Sequence, residues 1–135
     1  HTFFKERWFG FDDGLYTGAR LLEILSQHSD PSAVLNALPE ALSTPELNIA
    51  MQQEGDNHRL ISQLQQQATF PQSQTIIDID GLRVEYAQGF GLIRASNTTP
   101  VLVLRFEAET PEALAMIQDE FKAVLQQAGI EDLPF

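Results

Sequence analysis

No cysteine occurs among the 135 residues. Disulfides and thiolate metal sites are therefore excluded, and the expectation is a cytoplasmic protein. No apolar run approaches the ~20 residues of a membrane span, and no charged-then-apolar leader opens the chain. A soluble protein with no export signal of its own and no membrane partner is expected. Positive charge is also scarce: 8 Lys and Arg face 19 Asp and Glu, for a formal net charge of −11. Such a balance repels nucleic-acid backbones and anionic lipid, whose binding relies on clustered Lys and Arg. Internal repeats and low-complexity segments are absent as well.

What is present is an ordinary globular balance, 43% hydrophobic and 20% charged residues. The length suits one domain, or one small domain plus a piece of another. Divided at Pro45, residues 1–45 hold 3 basic and 6 acidic side chains, net −3, and residues 46–135 hold 5 and 13, net −8. An anion could be held only where local donors outweigh that field. Arg83, Arg94 and Arg105 are the only basic residues of the strand-rich part.

Thr2 to Phe11 is aromatic-rich and reads as a strand ending in a turn at Gly10. Asp12 or Asp13 caps a helix running to about Gln27, with Leu15, Ala19, Leu22 and Leu25 at helical spacing and Leu21 and Ile24 broadening the stripe. Gly18 within it suggests close approach by another element. One strand and one helix cannot bury this surface alone, so the segment reads as the tail of a larger domain. A short helical stretch from Ser32 to Ala37 follows, and Pro39 with Leu42–Pro45 reads as an interdomain connector.

From Glu46 the pattern changes. A half-buried strand (Leu47, Ile49, Met51) precedes a helix capped by Asp56, with Leu60, Ile61, Leu64 and Ala68 on one side. Strands follow at Thr75–Ile79, Leu82–Tyr86, Phe90–Ile93 and Val101–Phe106, with Asp80-Gly81 a tight hairpin signal. Thr110-Pro111-Glu112 opens the last helix, ending near Gly129. The sum is an α+β layer, an antiparallel sheet with two helices on one face, preceded by a strand–helix remnant of an α/β domain. The Gln63–Gln67 patch reads as a solvated helix face.

Between the last two strands stands Arg94-Ala95-Ser96-Asn97-Thr98-Thr99, closed by Pro100. One guanidinium, three hydroxyls and one amide with no acid among them are the donors a phosphate dianion needs. The segment reads as a phosphate-binding loop. The competing reading is a polar hairpin tip whose side chains bond their own backbone.

Three segments carry a resemblance: Phe3-Phe4-Lys5-Glu6-Arg7-Trp8-Phe9-Gly10-Phe11-Asp12-Asp13-Gly14 through Ala19-Arg20-Leu21-Leu22-Glu23; Leu42-Ser43-Thr44-Pro45-Glu46-Leu47-Asn48; and Gly91 through Glu107, with Arg94-Ala95-Ser96-Asn97-Thr98-Thr99-Pro100 at its centre. In this order they resemble the bacterial phosphomannomutase/phosphoglucomutase enzymes of the α-D-phosphohexomutase superfamily. The resemblance implies a four-domain parent. Residues 1–41 would be the end of its third, α/β domain plus linker, and residues 42–135 its fourth domain, with a fold like that of TATA-box-binding protein.

The resemblance further implies an isomerase. A phosphoserine would interconvert the 1- and 6-phosphates of mannose and glucose through a bisphosphorylated sugar. The substrate would be a phosphosugar and the immediate partners the other domains of the parent. Arg94, Ser96, Asn97, Thr98 and Thr99 would grip the phosphate that is not reacting, and Ser43, Thr44, Pro45 and Glu46 would form the hinge that closes the cleft. His1 would match a histidine near the reacting oxygens that assists proton transfer, though inert here. The catalytic serine, the Asp-rich loop for Mg2+ and the sugar-specificity loop have no counterpart in these residues. No cofactor is expected in this chain, Mg2+ belonging to the parent, and the isolated chain is expected to turn over no substrate.

Other residues attract blander readings. His28 and His58 lie near helix ends without a second ligand at helical spacing, so no metal site is expected. Asp78 and Asp80 mark a hairpin entry, and Arg83 and Arg105 read as strand surface residues paired with nearby glutamates. Trp8 reads as core of the remnant. The alternative function is a free-standing protein-interaction module using an exposed sheet face.

Overall fold

The computed structural model describes all 135 residues, His1–Phe135, and the chain divides into two compact units, His1–Pro39 and Glu40–Phe135.

In the first unit, helix α1 spans Gly14–Ser26 and α2 spans Pro31–Asn36. Each starts where an aspartate accepts a backbone N–H three residues on: Asp13 from Tyr16 and Asp30 from Ala33. The strand expected over Thr2–Phe11 does not form. Residues 3 and 12 make one isolated antiparallel bridge, and the chain between them turns. Arg7 adopts φ 60° and Gly10 φ 82°, left-handed values that reverse an extended backbone. Aromatic content raised the strand propensity, but this unit offers no neighbouring strand to pair with. Those aromatics pack sideways instead: Trp8 stacks on Tyr16 with centroids 4.4 Å apart, and Arg20 lies over Phe4 at 5.1 Å. Arg7 grips Glu23 with two bonds of 3.1 and 2.8 Å, and that hydrogen bond holds the Glu23 carboxyl below its ordinary range. No residue of this unit is fully buried; Leu15 is 87% and Leu22 67% exposed, so the stripe on α1 faces outward. A side chain at Gly18 would meet nothing within 4 Å, contrary to the expected close approach.

The second unit is a six-stranded antiparallel sheet with two helices. Its strands are β1 (Leu42–Ser43), β2 (Leu47–Ala50), β3 (Thr75–Ile77), β4 (Leu82–Tyr86), β5 (Gly89–Ala95) and β6 (Val101–Ala108). The order is β1-β6-β5-β4-β3, with β2 also pairing β6. Leu42 and Ser43 pair with Ala108 and Glu107, and Leu47–Ala50 with Leu104–Val101, so β1 and β2 run along one edge of β6. Pro45 interrupts that edge because it has no N–H to donate. The segment expected to be an interdomain connector is thus itself partly paired to the sheet.

Helix α3 (Asp56–Gln67) and helix α4 (Pro111–Gln127) cover one face. Leu82 and Val84, Ile93, and Leu102, Leu104 and Phe106 alternate inward and are buried beneath Ile117, Phe121 and Leu125. Phe121 meets Phe106 edge-on at 5.1 Å and sits above Gly91, where a Cβ would lie 2.4 Å from its ring. Asp56 is not the cap of α3: Gly55 holds that position at φ 84°, and Asp56 is the first helical residue, accepting from Gln53 N at 3.1 Å. The expected α+β class, an antiparallel sheet carrying helices, is what forms.

Candidate functional site: the loop between β5 and β6

Strand alternation sets the site. Ile93 and Ala95 are buried toward the helices, so Arg94 between them lies on the open face of the sheet. Its guanidinium pairs with no carboxylate. In this acidic chain it is an uncompensated cation. Arg83, by contrast, bonds Glu85 at 2.6 Å and lies 3.6 Å above the Phe90 ring centroid. The expected pairing therefore holds for Arg83 but not for Arg105, which is exposed and has no partner carboxylate.

After Ala95 the chain turns tightly. Ser96 Oγ lies 3.0 Å from Thr99 Oγ1 and 3.4 Å from Thr98 Oγ1, and it accepts from the backbone N–H groups of Thr98 and Thr99 at 3.3 Å. Three hydroxyls thus converge on one point. Neither the backbone N–H nor the side-chain amide of Asn97 donates to another group of the chain. The turn is closed by Ser96 N to Val101 O at 3.0 Å and by Met51 N to Pro100 O at 2.8 Å. Both readings of the segment are visible in this geometry: the self-bonded tip accounts for Ser96, and the unpaired donors remain at Asn97 and Arg94.

Residues 96–100 form one wall of an open cavity of about 460 Å³, and Glu54, Gly55, Asn57 and His58 at the start of α3 form the other. Arg94 is not part of that lining. The structure brings Ser96, Asn97, Thr98 and Thr99 together, and Arg94, two residues before Ser96, lies outside that lining.

The residue that sequence reasoning missed is Asn57. It is only 2% exposed, and its amide donates to Ser96 O at 2.9 Å, Thr99 O at 3.2 Å and Val101 O at 3.2 Å. A signal existed: Asn57 stands three, four and seven residues before Leu60, Ile61 and Leu64, an asparagine on an apolar stripe. His58 is exposed and lines the cavity. Gln65, read as solvated, donates to Asp78 O and Gly81 O at 3.0 Å each and so pins the β3–β4 turn.

The remaining candidates lie elsewhere. Ser43 pairs with Glu107 in the β1–β6 ladder, Thr44 donates its N–H to Phe106 O at 3.0 Å, and its hydroxyl accepts from Phe106 N at 3.1 Å. His1, in the first unit, is exposed, and its Nδ1 contacts an Asp12 carboxylate oxygen. No three His, Asp or Glu side chains come together to hold a metal ion. No helix is long and apolar enough to cross a membrane.

Comparison with known proteins places this geometry in a family. Residues 46–124 match the model of the phosphoglucomutase/phosphomannomutase C-terminal domain. Over 126 residues the chain is 63% identical to the phosphoglucomutase of Neisseria meningitidis serogroup A, covering 93% of the chain and 27% of that protein. It is 54% identical to the phosphomannomutase/phosphoglucomutase of Pseudomonas aeruginosa strain PAO1 over 127 residues, with the same coverage. The crystal structure of a phosphoglucomutase/phosphomannomutase family protein from Burkholderia thailandensis, 58% identical, superposes with a TM-score of 0.86 over 98% of this chain and 28% of that one. The chain thus spans little more than a quarter of the length of these relatives. With an antiparallel sheet bearing its helices on one face, and a family match running from the first residue after Pro45 into α4, the chain belongs to the phosphoglucomutase/phosphomannomutase family and carries its C-terminal domain.

Proposed function

We propose that this chain is the phosphate-gripping, cleft-closing part of a phosphohexomutase that interconverts the 1- and 6-phosphates of glucose and mannose. The observation that carries the reading is the convergence of the Ser96, Thr98 and Thr99 hydroxyls on a cavity wall that also carries the unbonded side-chain amide of Asn97. Thr98, Thr99 and Asn97 offer hydrogen-bond donors to phosphate oxygens, and Arg94 offers full charge from the open face of the sheet. The phosphate held there is the one not being transferred. Its binding energy orients and encloses the reacting end of the sugar, which raises the rate only where that end is aligned for attack.

The chemical step belongs to the whole enzyme. A phosphoserine gives its phosphoryl group to the free hydroxyl of the sugar monophosphate, and the bisphosphorylated sugar reorients and returns its other phosphate to the serine. The residues present do not fit a magnesium site, so no step of this chain runs through the metal of the parent. In the whole enzyme His1, its ring held by Asp12, would match a histidine near the reacting oxygens, and in this chain it does no catalytic work. Residues 1–41 are the end of the preceding α/β domain, and 42–135 the domain that moves. The hinge comprises Ser43–Glu46. Because Leu42–Thr44 on one side and Leu47–Ala50 on the other are both bonded to β6, motion within this segment breaks edge bonds on at least one side of Pro45.

The test is a titration of the 135-residue chain with glucose 1-phosphate or inorganic phosphate, followed by backbone amide shifts. Shifts should centre on residues 94–99 and vanish in Arg94→Ala. Binding will be weak, since one wall of the cleft comes from elsewhere. Shifts confined to another surface would remove the reading.

A further inference from the structure

We infer that Asn57 is a positioning residue for phosphosugar binding, acting through the three carbonyl groups of the β5–β6 loop rather than by touching the ligand; this rests on the reading of that loop given above. An amide has two N–H bonds, yet Asn57 Nδ2 is within bonding distance of Ser96 O, Thr99 O and Val101 O, at 2.9, 3.2 and 3.2 Å. At least one hydrogen is therefore shared, and the three acceptors are drawn to a single point. These carbonyls flank the Ser96–Thr99 hydroxyl cluster on both sides. Asn57 thus sets the span of the loop, and with it the spacing of the donors.

The same bonds have an electrostatic consequence. Carbonyl oxygens carry partial negative charge and repel a phosphate dianion, so a loop whose carbonyls swing toward the ligand is a poor anion receptor. Asn57 engages three of them with its amide N–H groups, which fixes their direction and offsets their negative charge. An asparagine is an expensive choice for a position only 2% exposed on an apolar helix stripe unless its polar atoms are matched, and no buried side-chain polar atom of the chain lacks a partner. Leu60, Ile61 and Leu64 on the same stripe fix the helix to the sheet and so fix where the amide stands.

The experiment uses the full-length protein carrying this chain, with glucose 1-phosphate as substrate and inorganic phosphate as competing ligand. Asn57→Asp keeps the volume and removes the donors, Asn57→Ala removes both, and Asn57→Ser keeps one donor in case the others fold poorly. Val124→Ala, a core change in α4, serves as the control of lowered stability. The expected result is a KM raised about tenfold in Asn57→Asp and Asn57→Ala, a smaller rise in Asn57→Ser, and weaker inhibition by phosphate, with kcat changed much less. Val124→Ala should lower Tm and leave KM alone. If every Asn57 variant that folds keeps the parental KM while Arg94→Ala raises it, the loop reading survives and the role assigned to Asn57 is wrong. If Arg94→Ala and Ser96→Ala also leave KM unchanged, the loop reading itself fails and takes this inference with it.

Discussion

Ser96 is the hub on which the loop turns: its hydroxyl is the common partner of two threonine hydroxyls and two backbone N–H groups. Ser96→Ala should lower phosphate affinity roughly tenfold, the worth of one hydrogen bond to a charged group, while unfolding temperature moves little because the site is at the surface. Isothermal titration and a thermal melt on the same variant separate the two effects. Gly81 is a second control point. It sits at φ 82°, and a Cβ there would come within 2.1 Å of Ile93 O and 2.7 Å of Arg94 Cα. Gly81→Ala should cost about 1–3 kcal/mol in chemical denaturation and, by displacing Arg94, weaken phosphate binding as well. The hydroxyl cluster was legible in the sequence because Ser96, Thr98 and Thr99 stand within four residues of one another, whereas Arg94 lies outside the cavity they line. Asn57 was not, because side-chain bonds across 39 to 44 residues leave no local pattern beyond a polar residue in an apolar stripe.

Strands and helices were legible where burial enforces a period. Leu82, Val84 and Tyr86, and the run from Leu102 to Phe106, show the alternation of a sheet with one face packed, and β4 and β6 lie where that alternation lies. The element misread was Thr2–Phe11, where aromatic propensity stood in for a pairing partner that the unit does not supply. The pairing of the connector with β6 was not legible for the opposite reason: β1 is two residues long, too short for any period to show. Gly91 makes the fit between sheet and helix testable. Gly91→Ala drives a methyl into the Phe121 ring and should destabilise by about 1–3 kcal/mol, read from the denaturation midpoint at unchanged slope. Tyr86 on β4 links the sheet to pH. Burial, then its 3.0 Å hydrogen bond to Glu120, pushes the phenol well above its ordinary value. The folded state therefore keeps that proton where the unfolded state releases it. Stability is whole below about pH 10 and declines as pH rises beyond it. A series of melts from pH 8 to 11 should show the decline, shallower in Tyr86→Phe.

At the scale of the whole molecule, the two units differ in what they bury. The second owns a continuous core, whereas the first has no fully buried residue and exposes Leu15 and Leu22 on α1. Amide exchange should be fast throughout residues 1–39 and slowest in β5 and β6. The chain also spans little more than a quarter of relatives named as mutases. A coupled assay on the 135-residue chain with mannose 1-phosphate should therefore show no turnover above background. With a net charge of −11, the acid-free segment Arg94–Thr99 is an exception within its own molecule, and the proposed anion grip depends on that exception. The most direct test is a crystal structure of the full-length protein with glucose 1-phosphate bound. The expected result is the sugar phosphate seated on the donors of residues 96–99 with the Arg94 guanidinium against it. A phosphosugar bound with that loop empty and Arg94 facing solvent would contradict the account.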